Sequence, residues 1–494
     1  MADGEAVPER PLTSGRAGKG RDLTSGPIAG TLLAFALPTL GSNILQSLNG
    51  SINTIWVGHF LGEAALAATS NANIIMFLMF GAVFGFGMAA TILVGQAIGR
   101  GDIDAARRAF GTAVGLVLGG AVVIAALGWI FAPQILTLLA TPGDAFPLAL
   151  AYLRVIFLSL PASMLSVLVM MGLRGTGDST TPFWFMALSV VIDAGLNPFL
   201  IAGIGPFPQM GIAGSATATL IANHISLGCL ILFIYARDLP LRLRGSELGY
   251  LKPHGPLVRT ITTKGLPIGA QMLVISSAGL AMAGLVNRQG VETVAAYGVA
   301  QQLWTYIQMP ALAIGAAVSA MAAQNIGAGR WDRVDRITRA GLLTNLALTG
   351  VMVAATTVFD RTVLGLFLAE GSPSMPIAQH IQLVAAWGFI LFGATMVLFS
   401  TVRANGAVVA PLVMLFVSMY PVRLGFVAAL LPAWGADALW WSFPAGSVAN
   451  LMMAAAYYRY GNWRGGALLA PEPAECMEQA HAGGEPAGRV HPTG

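Results

Sequence analysis

Apolar residues along this chain fall in long unbroken runs, not in the alternation of a strand or the narrow stripe of a soluble helix. Twelve runs stand out, at 28–57, 64–97, 109–131, 147–172, 181–203, 211–236, 262–287, 292–325, 339–359, 376–402, 408–431 and 437–459. Each approaches or exceeds the ~20 residues with which a helix crosses a bilayer core. The pattern predicts an all-α integral membrane protein of twelve transmembrane helices. Residues 1–26 are polar and rich in Gly, Ser and Arg, and residues 461–494 are rich in Pro and Gly; both read as disordered tails. A polar connector at 237–261 separates an N-terminal six-helix lobe, 27–236, from a C-terminal one, 262–460. No small-residue cleavage site accompanies the first run, which reads as a retained span and not a removed leader.

Composition agrees. Charged residues make up 10% of the chain and mean hydropathy is +0.72, against ~25% charged in an ordinary soluble protein. Too few polar residues exist to cover a water-facing surface, so the solvent is the lipid bilayer. Two cysteines, Cys229 and Cys476, provide neither a disulfide framework nor a zinc site, and the six scattered histidines form no HExxH pair. None of the three lysines sits in a phosphate-binding loop. The formal charge of +4 is spread between spans, so no nucleic-acid partner is expected. Of the Lys and Arg residues, 22 fall on one side of the alternating topology and two, Arg288 and Arg361, on the other. That bias places both termini in the cytoplasm. Arg outnumbers Lys 23 to 3, which hints at a GC-rich bacterium and so at its inner (plasma) membrane.

The chain repeats itself. Shifted by 229 residues, Pro38 meets Pro267, Glu63 meets Glu292, Arg174 meets Arg403 and Pro182 meets Pro411; shifted by 228, GQAIGRG (95–101) meets AQNIGAG (323–329). An even number of spans per repeat makes the two repeats parallel, related by an axis along the membrane normal. Two parallel six-helix lobes with a cleft between them suit alternating access, which makes a transporter the leading reading.

Of the 22 acidic residues only Asp193 lies deep in an apolar run. A charged carboxylate at the bilayer centre costs about 2.5–3.5 kcal/mol, and such groups mark ion pathways by default. Ser189, Asp193 and Asn197 are spaced to share one helix face, and Pro198 leaves the carbonyl of Ala194 without its helical donor. In the first run Asn43, Gln46, Gly50 and Asn53 form a polar stripe suited to a cleft. Gln301, Gln302, Trp304, Tyr306 and Gln308 in the eighth run are further cleft candidates, as are Met76, Phe77, Met79 and Phe80 in the second. Plain helix packing accounts for both of these groups as well. His224 is a weaker cleft candidate that also reads as a hydrogen-bonded structural histidine. Arg423, within one residue of the repeat equivalent of Asp193, reads as an anchor that pairs with a carbonyl or snorkels. Gly81 and Gly85 form a GxxxG of the kind that packs helices closely. Pro38 and Pro198 are candidate hinges.

Three stretches carry a family resemblance. LRGTGDSTTP (173–182), VGQAIGRGD (94–102) and LPTLGSN…INTIWVG (37–58) resemble the loop before the fifth helix, the loop after the second and the first helix of the multidrug and toxic compound extrusion (MATE) family. The resemblance spans roughly 28–460 and implies two six-helix bundles forming a V. It also implies export of drugs, often cationic and aromatic, in exchange for protons or sodium ions. The chain is more similar to the DNA-damage-inducible (DinF-like) branch than to the sodium-linked one. It departs from the former in carrying Asn53 where an Asp is usual, and in placing Asp193 before Asn197 where that branch has Asn before Asp. It departs from the latter in having no acid in the seventh and tenth runs. The resemblance therefore implies proton coupling through Asp193, Asn197, Ser189 and Asn53, with sodium as the alternative and no cofactor. The expected form is a monomer acting on small-molecule drugs or toxins. Two rivals remain: a flippase for lipids or lipid-linked sugars, and, more remotely, a membrane transferase using Asp102 and Asp104 as a magnesium pair, with Asp332 and Asp335 in the matching loop. The same acids read as helix caps.

Overall fold

A computed structural model describes residues 22–465 apart from 139, 140, 142, 144 and 370. The described chain is helical almost throughout. The N-terminal lobe is built from α1 (Ile28–Leu61), α2 (Glu63–Arg100), α3 (Ile103–Leu138), α4 (Phe146–Gly175), α5 (Thr180–Ala202) and α6 (Ile212–Ala236). After a short 3-10 helix, Gly245–Leu251, come α7 (Gly255–Asn287), α8 (Val291–Gly327) and α9 (Trp331–Val358). A short helix, Asp360–Leu364, leads to the bent α10 (Ser374–Ala385 and Gly388–Ala404), then α11 (Val409–Trp434) and α12 (Asp437–Tyr460). Ten of these, or eleven with the bent pair, are long and apolar enough to cross a membrane. The twelfth, α12, is 24 residues long; its polar Ser442 and Asn450 are buried inside the lobe.

Several helices overrun the apolar runs that predict them. α3 begins at Ile103, α9 at Trp331, and α7 at Gly255 inside the expected connector. Apolar content marks only the part of a helix that lies in lipid; backbone hydrogen bonding carries the helix on into water wherever its end is satisfied. Asp102 does this for α3 by accepting the Ala105 N–H at 2.8 Å, and Pro256 opens α7 where no N–H is needed. The remaining connector is docked: Arg107 of α3 bonds the Pro240 carbonyl at 2.9 Å and the Glu247 carboxylate at 2.6 Å. The tenth run, expected as one helix, breaks at residues 386–387 with a bend of 41°. In α11 the ladder slips to π-helical register over Ser418–Leu424, around Pro421, whose missing N–H removes a normal i to i−4 bond. α1 and α5, by contrast, run unbroken through the candidate hinges Pro38 and Pro198.

Each lobe has its own buried core. One is centred on Leu153, Leu160, Leu168 and Leu93 of α4 and α2, the other on Met282, Tyr297, Trp304 and Trp440 of α7, α8 and α12. The lobes meet at the end where both described chain ends lie. There the last turns of α2 and α8 cross almost backbone to backbone. A methyl group on Gly99 would lie 1.9 Å from the Gln324 carbonyl oxygen, and one on Gly327 would lie 2.1 Å from that of Gln96. The amides flanking these glycines reach across: Gln96 Nε2 donates to the Ala404 carbonyl at 2.7 Å, and Gln324 Nε2 to that of Gly175 at 3.1 Å. These pairs are repeat equivalents, so the crossing is two-fold symmetric in chemistry as well as shape. A second close approach sets Gly85 of the GxxxG against Gly265 and Gly269 of α7, where small residues replace the missing hydrophobic drive between helices in lipid. The segment before α1 straps over the partner lobe. Leu23 N–H donates to Gln324 Oε1 at 3.0 Å, Asn325 Nδ2 to the Leu23 carbonyl at 3.0 Å, and Arg330 and Arg333 bind the carbonyls of Thr24, Ser25 and Gly26.

Gly99→Ala is therefore expected to force the lobes apart at this end, at a cost of about 1–3 kcal/mol to the closed arrangement. Spin labels at Arg100→Cys and Asp332→Cys should report a longer and broader distance in the variant; an unchanged distribution with unchanged melting would remove the crossing from its assigned role.

Candidate functional site

Two polar sites lie in the halves of the lobes remote from the crossing. The first surrounds Asp193, which is 1% exposed in α5. Four neutral donors converge on its carboxylate. Asn49 and Asn53 of α1 donate to Oδ2 at 2.9 and 3.0 Å; Thr219 of α6 and Asn197 of α5 donate to Oδ1 at 3.1 and 3.2 Å. Asn197 also donates to Asn53 Oδ1 at 2.8 Å, closing a ring of side chains over three helices. Among the described residues no Lys, Arg or His is paired with this carboxylate, and it is the only buried acid. Two amide oxygens beside it, Asn49 Oδ1 and Asn197 Oδ1, are buried without a partner. The site thus offers a carboxylate, neutral donors and two vacant acceptors. That set suits a proton or a monovalent cation; among the described residues no cluster of three or more His, Cys, Asp or Glu could hold a metal ion.

The helical spacing of the sequence explains the convergence. Three helices each carry polar residues four apart on an otherwise apolar wall: Asn49 and Asn53, Asp193 and Asn197, Thr219 and Asn223. Asn49, Thr219 and Asn223 escape a reading made one segment at a time, and the i, i+4 pairing is the signal that finds them. Ser189 does not touch the carboxylate, contrary to expectation. Its hydroxyl donates to Asn223 Oδ1 at 3.4 Å, and Asn223 in turn donates to Ser163 of α4 at 2.6 Å. Four residues is one turn, and at that level the side-chain partner is Asn223 of α6 and not the carboxylate.

The other cleft candidates divide. Asn43 is half-buried and Gln46 exposed on α1, outside the ring. Met76 packs against the N-terminal core and so is a packing residue; the side chains of Phe77, Met79 and Phe80 lie outside the described residues. His224 is exposed, and its Nδ1 is 2.8 Å from the Leu220 carbonyl of its own helix. Ile231, seven residues on and on the same face, is exposed too, so His224 is directed away from the ring.

Gln301 and Trp304 line the second site, a cavity of about 430 Å³ inside the C-terminal lobe. Trp304 is buried, with its indole N–H held by Gln382 Oε1 at 3.0 Å and its ring against Phe443 at 4.7 Å between centroids. Gln301 donates to the Tyr297 hydroxyl at 3.0 Å. Tyr306 points elsewhere: it is exposed, 38%, and accepts from Gln302. Arg423 also lines this cavity. It neither snorkels nor anchors to a carbonyl. It is 9% exposed and its guanidinium carbon stands 3.6 Å from the Phe443 ring centroid. It sits within the π-helical stretch of α11.

The acids of the transferase reading are engaged otherwise. Asp102 caps α3, Asp104 accepts from Tyr250 at 2.8 Å, Asp332 pairs with Arg336, and Asp335 binds Tyr458 and Arg464.

Two lobes of six helices, with an intramembrane carboxylate in one and a cavity in the other, form the architecture of a membrane transporter. The MatE family model matches residues 38–199 and 267–428, once in each lobe, and the chain belongs to the MATE family. It is 34% identical over 428 residues to a probable multidrug resistance protein, YoeA, of Bacillus subtilis, covering 86% of this chain and 92% of that one. It is 30% identical over 448 residues to another, YpnP, of the same organism, covering 90% and 98%. A solved structure described as an outward-facing multidrug resistance MATE family transporter superposes with a TM-score of 0.82 at 19% identity, over 91% of this chain and 98% of that one.

If the ring is one cooperative unit, removing Asn49 and Asp193 together should not add. A double-mutant cycle of Asn49→Ala with Asp193→Asn, read by thermal unfolding in detergent, is expected to give a coupling of about 0.5–3 kcal/mol, whereas Ser189→Ala should add to Asp193→Asn within about 0.5 kcal/mol.

Proposed function

We propose that this protein exports amphipathic aromatic compounds, cationic ones among them, from the cytoplasm across the inner membrane, and that inward proton flow through Asp193 drives the export. Asp193 carries this reading: a buried carboxylate met only by neutral donors from three helices. A bound proton turns one carboxylate oxygen from acceptor into donor. The amide N–H of Asn49 or Asn53 then loses its partner, and the vacant oxygens of Asn49 and Asn197 become the new acceptors. Satisfying them requires amide rotation on α1 and α5, so protonation is coupled to how these helices pack. Each charge moving down the membrane potential supplies about 2.3 kcal/mol per 100 mV. The names of the relatives support the class of cargo.

Sodium is a second reading, favoured by the same two unpartnered oxygens, which with Asp193 and Thr219 make an all-oxygen set suited to a hard cation. Everted vesicles decide between the two. Adding a cationic dye should release protons with the intact protein and not with Asp193→Asn. Dye export driven by a sodium gradient without proton release would replace the proton by sodium. Undiminished release in Asp193→Asn would move coupling away from this residue, and no export under either gradient would sink the efflux reading itself.

A further inference from the structure

The C-terminal cavity holds a charge that no carboxylate among the described residues pairs with. Arg423 lies midway along α11, 9% exposed, and lines the cavity beside Tyr297, Gln301, Trp304 and Phe443. Its Nε is buried without a hydrogen-bond partner, its Nη1 finds only the Met419 sulfur at 3.7 Å, and among the described residues no carboxylate pairs with it. Stacking on Phe443 at 3.6 Å offsets part of the cost of burying the cation but satisfies none of its in-plane N–H groups. A guanidinium presents those donors as a fork that matches a carboxylate. Gly446 of α12 packs against Arg423, whose Cβ would lie 3.5 Å from a methyl placed there, so the side chain enters the cavity along that wall and turns toward Phe443, one turn away on the same helix. The remaining wall is aromatic, and a cavity of about 430 Å³ falls in the range of small-molecule sites.

The contrast with the other lobe sharpens the point. Asp193 is met by four donors from its own lobe, whereas Arg423, one residue from its repeat equivalent, is met among the described residues by a sulfur and a ring and by no acceptor oxygen. The first charge is balanced within the fold; the second is complete only when something enters.

We propose that this cavity is a recognition site for aromatic compounds carrying a carboxylate, with Arg423 holding the carboxylate and the rings of Trp304, Tyr297 and Phe443 packing on the body. The inference names the substrate class of the export reading and rests on it. It adds an anion-bearing class to the cargo of that reading.

The test is equilibrium binding to the full chain in nanodiscs by calorimetry, with no ion gradient. The probes are 3-hydroxy-2-naphthoate and its uncharged carboxamide. The intact protein should bind the carboxylate about tenfold or more tightly than the amide, the scale of a charge-assisted hydrogen bond. Arg423→Gln should abolish the preference, Arg423→Lys should keep part of it, and Asp193→Asn should leave it intact. Equal affinity for the two probes in the intact protein, or a preference that survives in Arg423→Gln, overturns the proposal. Because binding is read without transport, a failure of proton coupling in vesicles leaves this result standing, and a failure here leaves proton coupling untouched.

Discussion

The rest of this structure depends on one contact, the crossing of α2 and α8 at Gly99 and Gly327. Each backbone presses where a side chain of the other would be, and each flanking glutamine, 1% exposed, donates to a carbonyl of the opposite lobe. In lipid there is no hydrophobic drive to hold two bundles together, so close packing and hydrogen bonds must do it. Both terms depend on the absence of Cβ atoms here and are lost together if the backbones part. A joint of this kind is either made or broken, with little in between. That is the mechanical requirement of a machine that opens to one side at a time.

Above this joint the two repeats have diverged in charge. At nearly the same place on α5 and α11 one carries Asp193 and the other Arg423. The carboxylate sits in a ring of three amides and a hydroxyl from its own lobe, which suits a small ion. The guanidinium faces a cavity with aromatic walls. The ancestral symmetry still serves the joint, where both lobes must do the same thing. It has been given up at the sites, where ion and cargo ask for different chemistry.

Much of this was legible in the residues alone, and the limits are physical. Long apolar runs located the helices because lipid demands apolar surface, but they could not locate helix ends in water, where Asp102 and Pro256 decide. Constant spacing of GQAIG and AQNIG disclosed the repeat; that these glycines touch one another needed coordinates, because contact across 228 residues leaves no local trace. Asp193 stood out by cost: an acid in an apolar run demands a reason. Its partners did not, since Asn49 and Thr219 are cheap residues whose meaning lies on neighbouring helices. Arg423 was read as an anchor because snorkelling or a carbonyl is the usual relief for a cation in lipid; that it stacks on Phe443 beside a cavity depends on α12, which its own segment does not disclose.

The strap that precedes α1 ties the order of synthesis to the finished shape. Leu23 to Gly26 emerge about 300 residues ahead of their hydrogen-bonding partners, Gln324, Asn325, Arg330 and Arg333. Contacts so distant in sequence are slow to form. They close only after the second bundle has been inserted and has docked on the first. A segment made early is thus among the last to settle, and the strap acts as a latch that engages only on a completed pair of lobes.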